Sequence, residues 1–358
     1  MQGGAEMLQG GGVSSFAAEI LSTHTPELFA VAVGRVVALL RAGEVVALPT
    51  ETVYGLAANA LDARAVARIY EVKGRPARNP VIVHVASREL ARECVREWPA
   101  TAEVLARSFW PGPLTMVLPR GAGIPDVVTA GGDTVGVRWP SHPFIQAVIR
   151  ECGFPLAAPS ANPANRVSPT NAAHVAKWLG GKIPLIVDGG QSQVGIESAV
   201  VDLVAAPPRM LRPGMIGEAA VNAALAGVGV RLAGVGAEGG GGGALRSPGQ
   251  LDVHYAPRAR LVVCGWANEA ELGRRLRELG VNAATATVVA HTQVPMGGGY
   301  GRVSVIPHDA EAFARAIYGE LHQADEAGSE WIVVEALPDA AEWRGIADRL
   351  RRAAAPRG

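Results

Sequence analysis

Short β-rich runs alternate with helical stretches along most of this chain, and few architectures can absorb such an alternation. Strand-like runs fall at residues 45–48, 81–85, 114–118, 134–138, 156–158, 185–187 and 199–203, with helical periodicity near 62–72, 88–96, 101–109, 142–151 and 170–179. A helix is expected from Pro26, which suits a first helical turn, to a cap near Gly43. The pattern specifies an α/β domain built on a large mixed sheet. It breaks after Gly217, where a stretch containing five consecutive glycines suits a flexible linker. Past Pro257 the alternation restarts with "RLVVCG", "TVVA", "RVSVI" and "WIVVEA" between helical segments, as in a small parallel, doubly wound domain. The expected organisation is therefore an unstructured Gly- and Ser-rich arm over 1–24, a first domain over 25–217, a linker over 218–257 and a small α/β domain over 258–358. A length of 358 residues accommodates two such domains.

Charge narrows the functional classes. Lys+Arg and Asp+Glu both total 33, so the formal net charge is zero. Bulk electrostatics do not call for a nucleic-acid carpet or a membrane surface, and any basic site is local. No apolar run approaches the ~18 residues needed to span a bilayer. The first residues lack a charged segment followed by an apolar core, so no signal peptide is expected. Cys94, Cys152 and Cys264 are too scattered for a disulfide framework or a zinc site and fit a reducing cytoplasm.

Three groups of residues carry potential chemistry. Lys73 and Arg75 flank Gly74 after a helix, with Asn79 and the strand residue His84 following. Alone, such a pair reads as a solvated loop and His84 as a satisfied sheet histidine. "PLAAPSANPANRVSPT" ends a short strand in Ser160 and Asn162 and continues to Ser168; small hydroxyl residues there suit a phosphate or carboxylate near backbone N–H groups, or an ordinary turn with a helix cap. Thr134 and Arg138 share one face of the strand "TVGVR", Ser198 begins another strand and Arg212 ends one. An arginine projecting from an apolar strand requires an anion. No P-loop, serine triad or metal-ligand spacing is present in the sequence. The residues suit a polyphosphate and a small carboxylate, with Mg²⁺ carried on the phosphates rather than in a protein cage.

The ordered motifs "PTETVYGL", "KGRPARNPVIVHV", "FWPGPLT", "TVGVRWP", "APSAN", "ESAVVD" and "LRPG" resemble the YrdC family of L-threonylcarbamoyladenylate synthases over about residues 27–217. "SPGQLDVHYAP" and the second domain resemble that family's long, two-domain form. The resemblance implies a twisted mixed sheet with a large, positively lined cavity. It also implies condensation of L-threonine, bicarbonate and ATP to threonylcarbamoyl-AMP and pyrophosphate, the acyl group then passing through transferase proteins to transfer RNA beside the anticodon. It assigns the Lys-x-Arg and Ser-x-Asn signature to Lys73, Arg75, Ser160 and Asn162. Nucleotide contacts fall on Arg75, Asn79, Thr134, Ser160, Ser168 and Arg212, with Tyr255 closing over the nucleotide. Threonine contacts fall on Thr50, Thr52, His84, Arg138, Ala158 and Ser198. No stable contact with nucleic acid is implied. Such chemistry is positioning and charge stabilisation, so a nucleophilic triad is not required. A positively lined RNA-binding module would need an aromatic stacking stripe, and a related carbamoyltransferase of hydrogenase maturation would need zinc-finger cysteines.

Overall fold

The structure is a computed structural model that describes residues 17–233 and 254–356. The first domain is one ten-stranded mixed sheet. Its strands are Glu19–Ser22 (β1), Val46–Leu48 (β2), Gly55–Asn59 (β3), Val83–His84 (β4), Leu114–Pro119 (β5), Thr134–Arg138 (β6), Leu156–Ala157 (β7), Leu185–Asp188 (β8), Ala199–Asp202 (β9) and Arg209–Arg212 (β10). They lie in the order β1-β8-β2-β3-β7-β4-β6-β5-β9-β10. Around them run the helices Pro26–Arg41 (α1), Ala63–Lys73 (α2), Arg88–Glu93 (α3), Ala100–Phe109 (α4), Asp126–Thr129 (α5), Pro143–Cys152 (α6), Ala172–Leu179 (α7) and Glu218–Leu225 (α8).

Both faces of the sheet are covered. Alternation along β2 sends Val46 and Leu48 into a core with Val36 and Leu40 of α1 and Phe144 and Val148 of α6. Ala47 joins the opposite core with Val66 and Ile69 of α2 and Leu105 of α4. Strands buried on both faces read as continuous apolar runs, which is why they stood out in the sequence. β3, "GLAAN", did not, because glycine and alanine carry little strand preference and it forms by pairing with β2.

Two expected boundaries change. Residues 19–22, placed in the arm, form an edge strand in parallel register with β8, Ile20 opposite Ile186. The start of the expected linker is α8, whose Val221 and Leu225 are buried in the first domain's core. The five-glycine run lies outside the described residues.

The second domain is a four-stranded parallel sheet of Arg260–Cys264 (β11), Ala286–Ala290 (β12), Arg302–Val305 (β13) and Trp331–Glu335 (β14), in the order β11-β14-β12-β13. Helix Glu269–Glu278 (α9) packs Leu272 and Leu276 on one face. Ala310–Glu326 (α10) and Arg344–Ala353 (α11) cover the other. That second core also holds Val53, Val167 and Ile196 of the first domain, so the two domains share apolar packing. They also meet backbone to backbone: a Cβ on Gly345 would lie 3.0 Å from Gly214 Cα. Gly345→Ala should therefore destabilise the protein by about 1–3 kcal/mol, as overpacking generally does. Gly319→Ala, on α10 where a Cβ meets nothing within 4 Å, should be neutral or stabilising. Urea unfolding of the two variants checks the contrast; equal midpoints would show that the interface yields without cost.

Candidate active site

The site forms where several strands end together. β4 and β6 run parallel with His84 directly beside Arg138, so their side chains share a row. β2 runs out into Thr50, Glu51 and Thr52, while β7 runs out into Ala158, Pro159 and Ser160. Ser198 precedes β9 and Arg212 closes β10. Thr50, Thr52, Arg75, His84, Arg138, Ala158, Ser160, Ser198, Arg212 and Tyr255 line one cavity. Ten of the expected residues therefore converge.

Lys73 and Arg75 part company. Gly74 caps α2 at φ 59°, a left-handed conformation that costs glycine little, and the chain reverses there. Lys73 turns to the Ser160–Asn162 turn, where its ammonium donates to the carbonyl oxygens of Ser160 and Asn162 and, at 3.3 Å, to Asn162 Oδ1. Burial first, and then the charge of Arg75, push its pKa well below the ordinary lysine value. Arg75 faces the cavity. Its Nε donates to Asn79 O at 2.9 Å and its NH2 to Asn79 Oδ1 at 2.8 Å. Burial lowers its pKa to about 10. Lys73 thus fixes a turn that presents Ser160, while Arg75 is directed to the cavity.

Four other expected residues also stand behind the cavity wall. Asn79 holds Arg75. Asn162 donates to the carbonyls of Arg166 and Val167 at 2.6 and 3.2 Å. Ser168 donates to Glu197 Oε1 at 2.6 Å. Thr134 begins β6, four residues from Arg138, which is about 13 Å along a strand. Thr134 is not among the residues that line this cavity.

Arg138 has a partner the sequence reading missed. Its NH2 lies 2.7 Å from Glu51 Oε1, both groups buried, and its NH1 donates to Thr52 Oγ1 at 2.9 Å. Ser198 Oγ pairs with Thr115 Oγ1 at 2.8 Å and accepts from Arg212 NH2 at 3.1 Å. Glu197 and His254 also line the cavity. Each sits next to a residue the reading did select, Ser198 and Tyr255; a carboxylate gave no reason to look for it in an anion site.

The resemblance implied a large cavity; here its volume is about 50 Å³. That holds a water or two, whereas small-molecule pockets run to roughly 300–1,000 Å³. His254 and Tyr255, both buried, form part of its wall, their rings 4.0 Å apart edge to face. Tyr255 stacks on Tyr318 at 6.0 Å and has a positive φ of 61°.

The same pattern of domains and motifs recurs in known proteins. A family model for the Sua5, YciO and YrdC proteins, described as telomere recombination, matches residues 38–214, and one described as the threonylcarbamoyl-AMP synthase C-terminal domain matches 218–355. The threonylcarbamoyl-AMP synthase of Pyrococcus abyssi is 40% identical over 325 residues, spanning 88% of this chain and 91% of its own. This chain belongs to the long, two-domain YrdC family. The Bacillus subtilis threonylcarbamoyl-AMP synthase is 38% identical over 94% of this chain and 95% of its own. The crystal structure of P. abyssi Sua5 complexed with L-threonine superposes with a TM-score of 0.82 at 36% identity, covering 94% of this chain and 96% of that one.

Buried imidazoles give the site a pH signature. Burial, then the Arg138 charge, lowers the His84 pKa from 6.5 to about 3. Its neutral form is the folded form, so the unfolded chain binds the extra proton. The resulting stability is complete above pH 6.5 and is lost as pH falls towards 3, at up to about 1.4 kcal/mol per pH unit for this group. His84→Asn should remove that share of the slope, measured as urea unfolding between pH 7 and 4. An unchanged slope would mean that His84 is charged in the folded protein.

Proposed function

We propose that this protein condenses L-threonine, bicarbonate and ATP to threonylcarbamoyl-AMP and pyrophosphate. The observation that carries the reading is the convergence of Arg75, Arg138 and Arg212 with hydroxyls from Thr52, Ser160 and Ser198 on one cavity. Three guanidiniums facing one cavity suit a ligand with more than one anionic group. A triphosphate and an amino-acid carboxylate supply them. Membership of the family, and the names its relatives carry, fit the same chemistry.

In this reading Arg138, with Thr50, Thr52, His84, Ser198 and the backbone at Ala158, receives threonine. Arg75, Ser160 and Arg212 receive the phosphates, with Asn79, Lys73 and Asn162 holding them in place and Ser168 acting through Glu197. The threonine amine attacks the bicarbonate carbon and water leaves, giving a carbamate. A carbamate oxygen then attacks the α-phosphorus, and the bond to pyrophosphate breaks. No protein nucleophile takes part, and the arginines stabilise charge on the phosphoryl oxygens. Low-pKa His84 is neutral at physiological pH and leaves the carboxylate to Arg138.

Mg²⁺ would come with the nucleotide. Among the described residues no three His, Cys, Asp or Glu side chains gather as a metal site, and Glu51 and Glu197 are each held by an arginine. A protein cage for the ion does not fit this donor set, and no step here runs through it. The product is a reactive acyl adenylate suited to transferase proteins that modify transfer RNA, a role that belongs to the cytoplasm. Among the described residues no helix is long and apolar enough to cross a membrane.

His254 and Tyr255 act as the gate, because a nucleotide does not fit while both sit in the cavity wall. Opening admits substrates and closing excludes water from the carbamate. The direct test is pyrophosphate release from ATP. It should require threonine and bicarbonate together; release at full rate with either omitted would overturn the reading. Arg138→Ala should weaken threonine binding about tenfold to a hundredfold and ATP binding far less, as loss of one charged hydrogen bond does. Separate calorimetric titrations compare them, and equal losses would remove the assignment. Tyr255→Ala should fold normally yet consume more ATP per threonylcarbamoyl-AMP formed, and a fully coupled variant would reduce the gate to a tether.

A further inference from the structure

Glu197 is the one acidic residue among the described residues that line the cavity. A carboxylate in a site built for anions works against it, unless its charge is taken up elsewhere. The structure supplies that from the second domain. Arg349, on α11 and wholly buried, donates from Nε to Glu197 Oε2 at 2.8 Å and from NH2 to the Glu197 main-chain carbonyl at 3.0 Å. Tyr318, on α10, donates to the same Oε2 at 3.0 Å, and Ser168 donates to Oε1 at 2.6 Å. Arg349 is fixed in turn by Pro213 O at 2.9 Å and Asp348 Oδ2 at 3.0 Å. Its guanidinium lies 5.4 Å from the Tyr255 ring centroid.

We infer that Arg349 is a positioning residue through which the second domain neutralises Glu197 and keeps the cavity attractive to phosphate. The reasoning is electrostatic. Among the described residues the cations that act most on Glu197 are Arg349 and, after it, Arg212. Arg212 lines the cavity and Arg349 does not. With Arg349 present, the carboxylate is drawn towards the second domain and its charge is answered outside the cavity. With Arg349 removed, the remaining counter-ion of Glu197 is Arg212, and an incoming phosphate would have to displace a carboxylate held in low dielectric. The second domain then has a defined part in the reaction, as the supplier of a counter-charge that the first domain lacks at this position. The inference rests on the proposed use of the cavity for ATP.

The test is a suppressor experiment on the full chain. Wild type, Arg349→Met, Glu197→Gln and the double variant are titrated calorimetrically with ATP and with inorganic pyrophosphate, with circular dichroism to establish folding. Arg349→Met should weaken both ligands at least about tenfold, as leaving a buried charge unpaired does. Adding Glu197→Gln should bring both back to near the wild-type value, since no negative charge then remains to be answered. A merely structural Arg349 would not be rescued by neutralising its partner. Should Arg349→Met alone fail to fold, the double variant decides: folded with near-wild-type affinity supports the inference, folded but weak overturns it. Arg349→Met binding both ligands normally also overturns it. If wild type binds pyrophosphate but not ATP, the proposed substrate fails while the Arg349 contrast still stands or falls on pyrophosphate. If wild type binds neither, both readings fail.

Discussion

Cations of like sign share a cavity that admits almost no water, and the rest of the site is arranged around that difficulty. The arginines answer it in one way. Each places its Nε against a main-chain carbonyl: Arg75 on Asn79 at 2.9 Å, Arg138 on Gly112 at 3.3 Å, Arg212 on Ser198 at 3.0 Å. A carbonyl is a dipole, so it fixes the guanidinium and eases its desolvation without cancelling its charge. The fold makes this possible by ending strands from different parts of the sheet at one place, where loop carbonyls are no longer committed to the ladder.

Carboxylates enter the arrangement as secondary partners. Glu51 lies against Arg138 and Glu197 against Arg349, both in buried pairs. The two differ in what they do to the cavity. Glu51 engages a cation that lines the cavity, so a substrate carboxylate reaching Arg138 competes with it and exchanges one partner for another. Glu197 engages chiefly a cation outside the cavity, Arg349, so it takes up less of the charge within. Taking a buried charge from one partner to another of the same chemistry costs far less than exposing it alone, which suits a site that must open and close around its ligands.

The architecture was legible wherever burial wrote itself into the pattern. Strands buried on both faces, such as β5 and β6, appear as apolar runs at their observed positions, and the helical run near 62–72 is α2 at Ala63–Lys73. β1 was not legible: Ile20 is half exposed and the strand exists through its pairing with β8. Likewise α8 was masked by a glycine-rich neighbourhood that reads as linker. Residue types pointed to the cavity, because arginine and hydroxyl side chains announce anion chemistry. Sequence spacing could not say which of two neighbours faces inward, and Gly74 decided that between Lys73 and Arg75. Arg349 was out of reach altogether, since only the packing of α11 against Gly214 brings it to Glu197.

That packing also bears on the gate. Tyr255 adopts φ 61°, a conformation that costs a non-glycine residue on the order of 1–3 kcal/mol. Its observed position therefore depends on contacts that outweigh the strain, and the second domain supplies several of them. Tyr318 stacks on its ring at 6.0 Å, and Arg349 lies over it at 5.4 Å. The residue before it, His254, donates its backbone N–H to Arg352 O at 3.3 Å. In the proposed gate, strain favours opening and these contacts favour closing, and ligands that bind one position better would shift the balance. A first domain alone would retain the arginines of the cavity but neither the surface that holds Tyr255 closed nor the guanidinium that answers Glu197. Both contacts fall on one side chain, Arg349, so in the proposed mechanism it would couple closure of the gate to the charge of the site.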